Sequence, residues 1–174
     1  MEFQYAEHST VVRFGDLVSG TLFLLPKEAG FLVCLAAEIS NGEDDEPTEV
    51  TVALGTIDTS YVGAVPSYFD RHERRAPFVI KLDSVRISPS SAGEPNWPRP
   101  ADEAQNGALI IDRDASAWLV VRQANPLFIR VTTGEAVYRS PQPAMIFNQW
   151  SITVPDGKGR RIVVAKPTYN LDSV

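Results

Sequence analysis

The chain has 174 residues, 44% of them hydrophobic and 22% charged, with a formal net charge of −6. This balance is that of a globular protein and excludes a disordered chain. The length suits one domain or two small lobes. The acidic sum argues against non-specific nucleic-acid binding, which depends on neutralising phosphates.

The apolar stretch from Gly30 to Ala37 is far shorter than the ~20 residues of a spanning helix, so no membrane role is expected. Met1-Glu2-Phe3-Gln4-Tyr5 lacks the basic and apolar regions of a secretory leader. Cys34, the lone cysteine, cannot form an internal disulfide and reads as a small buried thiol within Phe31–Leu35. A cytoplasmic location is the resulting expectation. The charge is unevenly spread: residues 1–60 carry 11 acidic and 2 basic side chains, residues 61–174 carry 11 acidic and 14 basic. Such polarity either steers head-to-tail contacts between copies or is solvated surface.

Short runs rich in β-branched residues, separated by turn residues, dominate the chain. Gly20–Leu25 and Phe31–Ala37 read as a hairpin closed by the five residues Pro26–Gly30. Val50–Leu54 alternates, with Val50, Val52 and Leu54 on one face. Phe78–Asp83 alternates as well, which sets Phe78, Ile80 and Leu82 inward. Leu127–Thr133 and Ala136–Arg139 meet at Thr133-Gly134-Glu135. Ser151–Val154 and Arg160–Val164 flank Pro155-Asp156-Gly157-Lys158-Gly159, where two glycines suit a short loop. Helical signals are limited to Ser67–Arg75, stopped by Pro77, and to one turn within Pro100–Asn106. Trp118 and Trp150 lie in strand-like runs and are expected in the core.

These elements predict an all-β fold, an antiparallel sandwich or barrel of about 9–12 short strands with one or two short helical turns. A single domain over residues 1–174 is expected. Shifting the sequence by 87 residues lays Gly20–Ala37 on Gly107–Ala124 with five identities. Two pseudo-equivalent lobes, 9–88 and 107–168, joined by the proline-rich connection 89–106, are therefore a variant of that fold.

Strong chemical signatures are missing. The sequence has no cysteine pair for zinc, no phosphate loop ending in Lys-Ser or Lys-Thr, and no Gly-x-Ser-x-Gly elbow. His72-Glu73-Arg74-Arg75-Ala76 opens like a zinc-binding helix but lacks the second histidine one turn on. Glu43–Glu46 does not present the spaced oxygens of a calcium loop, and Asp112-Arg113-Asp114, between two strands, reads as a turn. No metal and no cofactor are expected.

Three local groups remain as candidates. Asp70, His72 and Glu73 place an imidazole among carboxylates, the combination that acid–base catalysis needs. Arg71, Arg74 and Arg75 beside Tyr68 suit an anionic ligand, because guanidinium groups clamp phosphates and stack with aromatics. Trp97, inside Pro95–Pro100, is a candidate interface anchor.

The reading that accommodates all of this is a non-enzymatic β scaffold, an interaction, assembly or structural protein whose partner is itself or another protein. The alternatives are a binding module for an anionic ligand or nucleic acid through the arginine cluster, and an enzyme using His72 with nearby carboxylates. Nucleic acid is disfavoured by the charge. The alternation predicts a strand-dominated far-ultraviolet circular dichroism spectrum; a helix-dominated one would contradict the fold class.

Overall fold

A computed structural model describes residues 9–27, 30–40, 46–57, 66–70, 78–89, 100–123, 125–156 and 158–166. Its strands are β1 (Ser9–Arg13), β2 (Leu22–Lys27), β3 (Gly30–Ile39), β4 (Thr48–Ile57), β5 (Ser67–Asp70), β6 (Phe78–Leu82) and β7 (Arg86–Pro89). They continue with β8 (Leu109–Asp112), β9 (Ala117–Arg122), β10 (Pro126–Arg130), β11 (Glu135–Val137), β12 (Pro143–Phe147), β13 (Trp150–Pro155) and β14 (Arg161–Ala165). Two 3-10 turns, Phe14–Asp16 and Ala101–Glu103, are the helical elements among the described residues.

The class is all-β, in two sheets. An 11-stranded sheet runs β1-β6-β2-β3-β11-β10-β9-β8-β12, with β4 paired to β3 and β5 to β4 off this path. A 3-stranded sheet runs β14-β13-β7. Three corrections to the expected architecture follow. The described strands number fourteen, more than the 9–12 expected. The large sheet is mixed, since β11 pairs with β3 in parallel through Glu135↔Glu38 and Ala136↔Ile39. Its path ends at β1 and β12 without closing, so it is no barrel.

Period-two alternation sends each central strand's side chains to two different cores. Leu22, Leu24, Val33, Leu35, Val50, Val52 and Leu54 join Leu119, Ile129, Trp150, Ile152 and Val154 in a large central cluster. The opposite faces of β2, β3 and β4 send Phe23, Leu25, Leu32, Cys34 and Ala53 to a second cluster, capped by Phe14 and Leu17 of the first 3-10 turn. A third cluster gathers Ile110, Trp118, Val120, Phe128 and Ile146 under Ala101 and Ala104 of the second turn. Trp118 and Trp150 are buried, as their strand-like surroundings imply. The sheets approach closely at β4 and β14, where a Cβ on Gly55 would lie 3.4 Å from that of Ala165.

The hairpins at β10–β11 and β13–β14 fall where the turn residues place them. The first hairpin is tighter than its sequence implies: pairing runs through Pro26↔Phe31 to Lys27↔Gly30, leaving two residues between the strands where five were expected. The expected helix from Ser67 is an extended strand over Ser67–Asp70, paired with Val50–Ala53. Pairing wins because extension satisfies the backbone while Tyr68 packs on the central cluster and Phe69 on the second. Alternation also misplaces Phe78, which is 53% exposed while Val79 is 1% exposed. The strand lies at the sheet's margin, where Phe78 faces Arg13 of β1 and Val79 reaches the second cluster.

Two glycines bring distant loops into contact. Gly20 and Gly134 both have left-handed φ, +85° and +74°. A Cβ on Gly20 would sit 2.6 Å from the Thr132 carbonyl oxygen, and one on Gly134 would overlap the Gly20 nitrogen. Gly159 shares the left-handed backbone, φ +78°, but has open space around it. Gly159→Ala is therefore expected to cost about 1 kcal/mol of backbone strain alone. Gly134→Ala adds displaced backbone to that strain, for a total of about 3 kcal/mol or more. Paired thermal or urea unfolding of the two variants measures the difference.

Candidate functional site

Tyr68 and Asp70 are the two sequence-derived candidates that lie within the described residues. Tyr68 stands opposite Val52 in the β4–β5 ladder and Asp70 opposite Val50. Their side chains are half-buried. Burial raises the Tyr68 phenol above its ordinary pKa, and the neighbouring Tyr138, with which it shares a hydrogen bond, raises it further. The Tyr68 carbonyl accepts a hydrogen bond from Gln123 Nε2 at 2.9 Å. Arg71, His72, Glu73, Arg74, Arg75 and Trp97 lie outside the described residues, as do His8 and Glu43–Asp45.

A group of charged side chains surrounds Trp118 on β9. Asp112, at the end of β8, accepts from the Asp114 and Ser116 amides through Oδ1, at 2.9 and 2.8 Å. Its Oδ2 accepts from the Trp118 indole N–H at 2.7 Å. Pairing of β9 with β10 sets Arg130 opposite Trp118, and the guanidinium Cζ lies 4.5 Å from the ring centroid. Arg130 also meets Glu135 at 3.1 Å across the next hairpin, while its Nε is buried without an acceptor.

The chemistry open to this group is limited by how fully Asp112 is engaged. Partial burial pushes its carboxyl up, but the Trp118 indole, the Ser116 and Asp114 amides and the Arg130 charge outweigh that and hold it below the ordinary carboxylate value. A carboxylate kept ionised with both oxygens occupied is a poor proton donor. Its role is to fold the β8–β9 loop, where Ala115 adopts a positive φ of 60°. The sequence reading of Asp112-Arg113-Asp114 as a turn matches this geometry.

Asp156 repeats the device in the β13–β14 loop. It accepts from the Lys158 and Arg160 amides at 3.0 and 2.6 Å, and from Arg160 Nε at 2.9 Å. Burial again raises the carboxyl, and the Arg160 amide, the Arg160 side chain and the Lys158 amide lower it by more. Among the described residues no group of three or more His, Cys, Asp and Glu side chains is placed to hold a metal ion.

Sequence reasoning passed over the outermost strand. β1 pairs on one side with β6 in unbroken register, Ser9↔Leu82 through Arg13↔Phe78. Among the described residues no strand lies on its other side. Val11 is 67% exposed there, and Phe78 shares its face, because Val11 opposes Ile80 and Phe78 is two residues from Ile80. The sequence signal for this strand is the β-branched run Thr10-Val11-Val12, which says nothing about which strand lies alongside it.

Comparison with family models, with curated proteins and with solved structures finds no match.

Asp112→Ala is expected to destabilise the protein by about 2 kcal/mol, the scale of losing hydrogen bonds to a charged acceptor. The lowered pKa fixes the sign of the pH effect. The contribution is complete above the ordinary carboxylate pKa of 3.8 and disappears as pH falls through the lower folded value. Wild type should therefore lose its advantage over Asp112→Ala on acidification, which urea titrations at neutral and acidic pH would reveal.

Proposed function

We propose that the protein is a non-enzymatic β scaffold that associates with copies of itself, with the outer edge of β1 as the contact. The observation that carries this reading is the state of that edge. Unpaired strand edges recruit further strands unless they are short, bulged, charged or interrupted by proline. β1 spans five residues without a bulge or proline, and its one charged residue, Arg13, stands at its end.

Val11 and Phe78 extend the apolar face of the large sheet into solvent at this margin. A strand added beside β1 would extend the large sheet and cover both side chains. Uneven charge supports contact between copies in particular. Residues 1–60 carry 11 acidic and 2 basic side chains, and residues 61–174 carry 11 acidic and 14 basic, so opposite ends of two chains attract.

Static light scattering across protein concentration and salt tests the reading. Mass should rise with concentration and fall as salt screens the opposed charges. Val11→Lys, at a position 67% exposed, should leave the fold intact and abolish the rise. A wild-type chain that stays monomeric at every concentration overturns the proposal.

A further inference from the structure

Two segments far apart in sequence make one hydrogen-bond pattern. After the Phe14–Asp16 turn, the Leu17 amide donates to Phe14 O and the Thr21 amide to Val18 O. Gly20 then donates to Ala36 O, and Ala36 donates back to Thr21 O. After the Ala101–Glu103 turn, Ala104 donates to Ala101 O and Ala108 to Gln105 O. Gly107 then donates to Val120 O, and Val120 donates back to Ala108 O. Gly20 and Gly107 carry the same left-handed φ, +85° and +83°.

Strand register carries the match across the sheet. Leu22, Leu35, Val52 and Tyr68 are successive partners across β2, β3, β4 and β5. Leu109, Leu119, Ile129 and Ala136 are successive partners across β8, β9, β10 and β11. The gapless shift of 87 residues holds for β2 and β8 but not beyond, because Leu119 answers to Leu35 and the β8–β9 hairpin is three residues shorter. On the other flank Phe23 faces Lys81 of β6, and Ile110 faces Ile146 of β12. Ile87 lies six residues beyond Lys81, Ile152 lies six beyond Ile146, and these two isoleucines pair with each other. Corresponding residues that meet across an antiparallel ladder are the mark of a two-fold relation.

Packing divides in the same way. The cluster under Phe14 draws only on residues 12–79, and the cluster under Ala101 only on residues 101–146. The central cluster draws on both halves. Each half also lays its β-loop against the other's glycine turn. Glu38 and Ser40 amides donate to Gly134 O and Ala136 O. On the opposite side Asn106 Nδ2 reaches Pro66 O, and Gln123 Nε2 reaches Tyr68 O.

We propose that residues 14–89 and 101–155 are two copies of one unit, docked face to face like the subunits of a two-fold dimer. The shared central cluster, the β7–β13 ladder and the parallel β3–β11 ladder are the docking surface, and the second unit is the partner it fits. The covalent link between the units is then not needed to hold them together.

The test uses the full chain with a protease recognition sequence inserted between Pro89 and Pro100. After cleavage, both fragments should elute in one peak at the mass of the uncut chain. In the Val11→Lys background, where copies do not associate, the thermal midpoint of the cut protein should fall on dilution while that of the uncut protein does not, because a two-piece complex obeys mass action. Fragments that separate or precipitate on cleavage overturn the proposal. So does an inserted chain that fails to fold uncut, since a link between two self-complementary units tolerates lengthening.

Discussion

Burial on both faces of β2, β3 and β4 is the constraint around which the molecule is organised. A strand with one solvated face needs a single apolar layer against it. These strands need two, because Leu24, Val33 and Val52 point one way while Phe23, Cys34 and Ala53 point the other. The small sheet and the second half of the chain cover one face; the Phe14–Asp16 turn and its neighbours cover the other. Thr51 and Cys34, both fully buried, show how completely the double covering excludes water.

Close backbone approach follows from the same constraint. The parallel contact of β11 with β3 brings the Thr132–Gly134 loop onto the Gly20 turn, at a separation that admits no side chain. At a second close approach Gly107 meets Pro66, and a Cβ there would lie 3.1 Å from the proline ring. Side-chain amides then do what main-chain groups do at the first contact: Asn106 bridges the Arg122 amide and Pro66 O, at 3.0 and 3.1 Å.

Charged groups in the interior margins serve loop geometry. Asp112 and Asp156 each gather the amides two and four residues ahead, so both hairpin loops are shaped by a carboxylate acting as a local acceptor. Arg130, laid on Trp118 and paired with Glu135, covers indole surface with its guanidinium. These arrangements account for the most perturbed carboxylates in the described structure without invoking a reaction. At the sheet margin β1 has no strand on its outer side among the described residues, and Val11 and Phe78 are exposed there.

Local pattern determined a good deal by itself. Alternation identified Val50–Leu54 as a strand with Val50, Val52 and Leu54 on one face, and turn residues located the β10–β11 and β13–β14 hairpins, because period and turn chemistry are properties of neighbouring residues. The turn role of Asp112 was legible for the same reason. Tertiary structure alone decided that Ser67–Asp70 extends, since β4 offers it a ladder that no local helix signal reveals. It alone decided that Phe78 faces solvent, that β11 runs parallel to β3, and that β1 is the last strand of the large sheet among the described residues. Each of these depends on which strand lies alongside which, and pairing partners tens of residues apart leave no mark in the spacing of a single strand.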